Sequence, residues 1–132
     1  MRSPAPTRSA QPPSTFVIVY DGGCHFCTRI AAWAASMARV PVVTVPFDDV
    51  PREAWLTSLS DADVLRQAHF ITPSGVEYHG GAAATAALRL TRFAAVGRIL
   101  DLPLVNVARD AGYALTVRSR GVLSRVIDRR AA

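Results

Sequence analysis

The sequence predicts an α/β fold with the element order β-α-β-α-β-β-α and a helical C-terminal extension. Two short apolar runs rich in β-branched residues, Phe16–Tyr20 and residues 42–47, bracket a stretch whose apolar residues recur at three- and four-residue steps. A Pro73-Ser74-Gly75 turn joins two further strand-like runs into a hairpin. An alanine-rich helical stretch follows that hairpin after Gly80-Gly81.

Each element has a local reason. Residues 1–15 are rich in Pro, Ser and Ala and carry no apolar core segment, so they read as a disordered arm and not as a secretory signal; a cytoplasmic location is the expectation. Phe16–Tyr20 is apolar throughout, as a strand buried on both faces would be. Asp21-Gly22-Gly23 breaks it. From Cys24 a helix is expected, with Cys27, Ile30, Ala31, Ala34, Met37 and Ala38 on its repeating face. Val40-Pro41 ends the helix and opens the second strand. Asp48-Asp49-Val50 is a turn, and Pro51 suits the first position of a short helix over 51–59. Asp61–Arg66 reads as a further helical turn, 68–72 and Val76–His79 as the hairpin strands, and 82–92 as a helix. Residues 93–130 look helical, with interruptions near Leu102-Pro103 and at Gly121. The predicted organisation is an arm over 1–15, a core over 16–92, and a helical extension of the same domain over 93–132.

A chain of 132 residues is one domain by default and can bury a core without disulfide staples. Its apolar runs fall far short of the roughly 20 residues needed to span a bilayer, so no transmembrane segment is predicted. Every basic residue is an arginine, and the net charge is +5. Much of the excess lies near the C-terminus, where Arg109, Arg118, Arg120, Arg125, Arg129 and Arg130 face only Asp110 and Asp128. Such a cluster suits nucleic acid, an anionic membrane surface or an acidic partner, or is simply a solvated helix face. Specific nucleic-acid binding is not expected.

The chemistry concentrates in Tyr20-Asp21-Gly22-Gly23-Cys24-His25-Phe26-Cys27, which holds the only two cysteines. A helix N-terminus presents unpaired N–H groups and a partial positive charge, and both favour a thiolate over a thiol. Cys24 is therefore the expected nucleophile, and it is expected to alkylate faster because it lies nearer the exposed end of the helix. Cys27, on the same helical face, is placed to resolve a mixed disulfide. A cationic His25 would favour the thiolate further; a solvent-facing His25 would not. Asp21 either caps the helix start or accepts a proton when Cys27 must ionise. Zinc would need a second pair of ligands, and His69 and His79 flank the hairpin without forming one compact unit. A reactive dithiol needs no metal or organic cofactor, because the sulfurs carry the electrons.

The motif YDGGCHFC resembles the Asp-x-x-Cys-x-x-Cys signature of the DCC family of thiol-disulfide oxidoreductases. The stretch HFITPSGVEYHGGAAATAALR resembles that family's hairpin and following helix, and LDLPLVNVARDAGYALTVRSRG its C-terminal segment. The resemblance covers roughly residues 16–125 and implies a thioredoxin-like fold with a redox-active disulfide. Asp21, Cys24 and Cys27 match the signature, and Tyr113, Arg118 and Arg120 match the C-terminal tyrosine and basic positions. Ser119 stands where asparagine is common, and Gly121 where an aromatic is common. Tyr20, His25, Arg118 and Arg120 are candidate modulators of the pair. Thioredoxins also carry a proline just before the third strand and a tryptophan before the first cysteine; here residues 63–68 hold no proline, and Gly23 precedes Cys24. The implied partners are a protein or small-molecule disulfide or dithiol and an unidentified electron donor. The alternative is a non-catalytic redox-sensing or binding module that offers its basic C-terminus to an anionic partner.

Overall fold

The computed structural model describes the backbone of residues 3–131 and the side chains of residues 3–126. The expected Arg129 and Arg130 contribution to a basic surface lies outside the described side chains. A five-stranded sheet is built from β1 (Thr7–Arg8), β2 (Phe16–Tyr20), β3 (Val42–Pro46), β4 (His69–Ile71) and β5 (Val76–His79). Around it lie α1 (His25–Met37), α2 (Asp61–Arg66), α3 (Gly81–Leu88), α4 (Ala94–Leu100) and α5 (Val105–Ala131). The strand order is β1-β5-β4-β2-β3. Only β2 and β3 run parallel, joined through α1; the other pairs are antiparallel.

Alternation along β2 divides the core. Val17 and Val19 pack with Val50, Leu56, Val64 and Ile71 on one face. Ile18 packs with Ala31 of α1, Phe70 and the α3 residues Ala83 and Ala86 on the other. Both faces are covered, which is why β2 is apolar throughout. This is the predicted α/β architecture, and it is a thioredoxin-like arrangement. No helix among the described residues is long and apolar enough to cross a membrane.

Three expectations are corrected. The N-terminal segment is not a free arm, because Thr7–Arg8 adds a strand to β5. Glu77 on β5 is wholly buried and needs donors, and the arm supplies two: the Thr7 and Ser9 hydroxyls donate to its carboxylate at 2.7 and 2.8 Å. The expected helix over 51–59 is absent: a 3₁₀ turn at Phe47–Asp49 precedes that segment, which is irregular turns. Leu56 has φ 60°, which breaks a helix, and its N–H donates to Glu77 at 2.6 Å. The Arg52 guanidinium holds this loop through the carbonyls of Leu56 and Leu59. Finally, α5 runs through Gly121 without a break. A helical glycine costs only about 1 kcal/mol relative to alanine, less than the contacts that fix α5 along its length can offset. The interruption at Leu102-Pro103 is present, between α4 and α5.

His69 and His79 are cross-strand neighbours, not separate flanks of the hairpin. Both are wholly buried, with their Nδ1 atoms 2.9 Å apart.

Candidate active site

The Asp21-Gly22-Gly23 turn carries the chain from the end of β2 to the start of α1. The Asp21 carboxylate accepts the Gly23 N–H at 2.9 Å, and its carbonyl accepts the Cys24 N–H at 3.2 Å. A Cβ on Gly22 would lie 2.9 Å from Pro46 Cβ, so β3 leaves no room for a side chain there. Asp21 thus shapes the turn, while the helix N-cap is Cys24 itself. Its sulfur accepts the Cys27 N–H at 3.2 Å. Sequence reasoning had offered that capping role to Asp21.

The two sulfurs are 2.6 Å apart, with the Cys27 thiol donating to Cys24, and neither cysteine is in a disulfide. Their environments push them in opposite directions. Burial alone would raise the Cys24 thiol. The hydrogen bonds from the Cys27 side chain and backbone, the Ser124 hydroxyl and the charge of Arg120 outweigh it and hold Cys24 below the ordinary thiol range. Burial, the hydrogen bond given to Cys24 and the repulsion of a Cys24 thiolate push Cys27 up to about 12, with Arg120 opposing. The pair thus combines one acidified thiol with one strongly deactivated thiol.

Helix α5 supplies the other wall. Ser124 Oγ lies 3.7 Å from Cys24 Sγ and accepts the Phe26 N–H at 3.2 Å. Arg120 Nη1 lies 3.3 Å from Asp21 Oδ2. The Tyr113 hydroxyl accepts the Ala68 N–H at 2.8 Å, and burial raises its phenol above the usual value. Under this cover Cys24 is only 8% exposed, whereas Cys27 is half-buried. The access expected of the two thiols is therefore reversed, although the expected electronic difference is present.

The other candidates sort unevenly. Arg120 reaches the pair. Arg118 is exposed and is not among the groups that shift either thiol. Tyr20 is half-buried in the wall of a cavity that also contains Cys27. His25 is exposed at the first position of α1. Ser124 was missed: a serine 100 residues from Cys24 leaves no local signal, and only the unbroken course of α5 brings it there. The basic C-terminal cluster is also thinner than its composition suggests. Arg109 is bound to Asp101 at 2.6 Å and Asp110 at 2.8 Å, and Arg120 is paired with Asp21.

A mixed sheet flanked by helices, with a Cys-x-x-Cys pair at the mouth of the first helix, defines a thioredoxin-like dithiol protein. The sequence model for the DCC1-like thiol-disulfide oxidoreductases matches residues 18–126, and the chain belongs to that family. No curated protein and no solved structure matches it.

Proposed function

We propose that the protein is an enzyme that exchanges dithiol for disulfide through Cys24 and Cys27. The observation that carries this reading is the shared hydrogen bond between the sulfurs at 2.6 Å, with Cys24 acidified and Cys27 raised to about 12. In the proposed cycle the Cys24 thiolate attacks a substrate sulfur. The substrate S–S bond breaks, one thiolate leaves, and a mixed disulfide forms at Cys24. That step removes the negative charge and the hydrogen-bond acceptor that add to burial in holding Cys27 protonated, while Arg120 stays in place. Cys27 then loses its proton and attacks the Cys24 sulfur. The second substrate thiolate leaves, and the Cys24–Cys27 disulfide closes.

Asp21 holds the turn and Arg120, and its carboxylate is the proposed acceptor for the Cys27 proton. A cytoplasmic location, where thiols are kept reduced, belongs to the same proposal. An external dithiol would return the pair to its reduced state. The test is turnover of a model disulfide by three proteins. Wild type turns over, Cys24→Ser is inactive, and Cys27→Ser accumulates a mixed disulfide visible by intact-protein mass spectrometry. A Cys24→Ser variant with wild-type turnover overturns the assignment.

A further inference from the structure

We infer that the dithiol acts on a low-molecular-weight disulfide with an apolar body, seated in a cavity beside Cys27, and not on an extended polypeptide; the inference rests on the dithiol-exchange reading above. A cavity of about 420 Å³ lies between the sheet and helices α1, α3 and α5, with Cys27 in its wall. Small-molecule sites commonly span about 300–1,000 Å³, whereas packed interiors of this size hold few voids larger than a water. Ile18, Ile30, Phe70, Leu88 and Val117 contribute apolar wall. Cys27, Asp21 and Arg120 supply a polar, reactive end, held together by the Arg120 contacts. Walls this apolar favour a ligand with an apolar body.

The backbone beside the cavity argues against a peptide. Recognition of an extended chain by strand addition needs unpaired main-chain groups. The segment before β4 lines the cavity, and its Ala68 is paired on both sides. The Ala68 N–H goes to Tyr113 Oη at 2.8 Å, and its carbonyl accepts the Gly80 N–H at 2.9 Å. Cys24, meanwhile, lies under Ser124 of α5. A polypeptide would have to displace α5, whereas a small disulfide in the cavity would not.

The chemistry balances with the reduced pair as the only electron source. Cys27, not Cys24, lines the cavity, and the Cys24 sulfur is 2.6 Å from that of Cys27, so it is the next sulfur a disulfide seated against Cys27 meets. The Cys24 sulfur bonds to one substrate sulfur as the substrate S–S bond breaks and one thiolate leaves. The second cysteine sulfur displaces the remaining substrate thiolate and closes Cys24–Cys27. Two electrons pass from the pair to the substrate, and the Cys27 proton ends on a released thiol.

The test uses 4,4′-dithiodipyridine as the apolar disulfide and bis(2-hydroxyethyl) disulfide as a polar control. The inert isostere 1,2-bis(4-pyridyl)ethane serves as inhibitor. Ala34 lines the cavity two turns along α1 from Cys27, so Ala34→Phe fills space away from the sulfurs; Ala87→Phe on α3 is the second variant. Wild type should show saturation with dithiodipyridine and competitive inhibition by the isostere. The filled variants should raise KM at least tenfold while leaving the second-order rate with the polar disulfide within twofold. If neither variant folds, inhibition of wild type decides alone. Unsaturable kinetics without inhibition, alongside intact exchange with the polar disulfide, overturn the cavity assignment and leave dithiol exchange standing. No exchange with either disulfide removes both.

Discussion

Arg120 Nη1 sits 3.3 Å from Asp21 Oδ2, which ties the middle of α5 to the turn that presents the dithiol. The side chains are 35% and 31% exposed, so the pair adds little to stability, on the order of 1 kcal/mol or less. Its influence is on the sulfurs. The Arg120 charge favours the thiolate of both cysteines. The partner carboxylate keeps that cation oriented toward them.

Arg120→Gln should therefore raise the Cys24 pKa, measured by the thiolate absorbance on titration. A less stable thiolate makes the reduced pair less favoured, so the reduction potential should become more negative, by about 30 mV for each pK unit. Thermal stability should fall by about 1 kcal/mol at most. An unchanged Cys24 titration would show that Arg120 is only a surface tether.

Alkylation of the reduced protein sets thiolate fraction against access. Cys27, raised to about 12, is almost entirely protonated at neutral pH, while Cys24 is acidified but covered. Alkylation needs the thiolate, and a thiol near 12 is ionised at only about one part in 10⁵ at pH 7. Cys24 should thus be modified first by iodoacetamide, by at least tenfold, despite its burial. Ser124→Ala should raise the Cys24 pKa by less than one unit, since it removes one long hydrogen bond. Peptide mapping after a short pulse gives the order, and preferential labelling of Cys27 would show that access wins.

Much of this site is legible in the sequence. The continuous apolar run of β2, the glycine turn and the helical repeat after Cys24 fix where the dithiol stands. The covering helix was legible as a helix but not in its placement. Gly121 looked like a break, although glycine's penalty is small beside the contacts at Asp110, Tyr113, Arg120 and Ser124. The arm was misread because β1 is two residues long and binds through hydroxyls to a buried carboxylate, so it carries no apolar alternation. The hairpin residues His69, Glu77 and His79 are a second such case. Nothing in their spacing shows that the sequence buries three titratable groups and meets them with Thr7, Ser9 and the Leu56 N–H.

That buried cluster makes stability depend on pH. His69 Nε2 is 2.9 Å from the Val64 carbonyl, so this nitrogen carries the proton; in the neutral ring Nδ1 must then accept from His79. Burial pushes His69 down to about 4 and His79 below its ordinary value, with Glu77 opposing in both cases. In the unfolded chain each takes a proton near 6.5. As pH falls from 6.5 toward 4 the unfolded state binds more protons, so stability falls with it. His69 alone should remove about 3 kcal/mol across that window. The Asp110 carboxylate is depressed: burial would raise it, but hydrogen bonds from Ser3 and Arg109 prevail. Its loss therefore falls below the histidine window. Urea midpoints at pH 7 and pH 4.5 check this, and equal midpoints would contradict the neutral buried pair.

Asp21→Asn separates what Asp21 holds from what it could accept. Asparagine keeps a side-chain oxygen for the Gly23 N–H, now 2.9 Å from the carboxylate, so the turn should survive and stability should change by under about 1 kcal/mol. Asp21→Ala loses that oxygen and should cost about 1 kcal/mol. The charge acts on sulfur through Arg120: it orients the cation that stabilises the Cys24 thiolate and partly neutralises it. Its removal should leave the Cys24 pKa nearly unchanged or slightly lower, because Arg120 remains and is no longer neutralised. The resolving step is different. Cys27 starts near 12 and must lose its proton in the mixed disulfide, where a nearby carboxylate could act as base. General-base help is worth about 10²–10⁴-fold, and water and the leaving thiolate can replace part of it. The Asn variant should therefore form the mixed disulfide at the wild-type rate and resolve it at least tenfold more slowly. Rapid-quench mass spectrometry resolves the two phases. A slowed first phase would make Asp21 a positioning residue for Cys24, and superimposable phases would leave it as the acceptor that folds the turn.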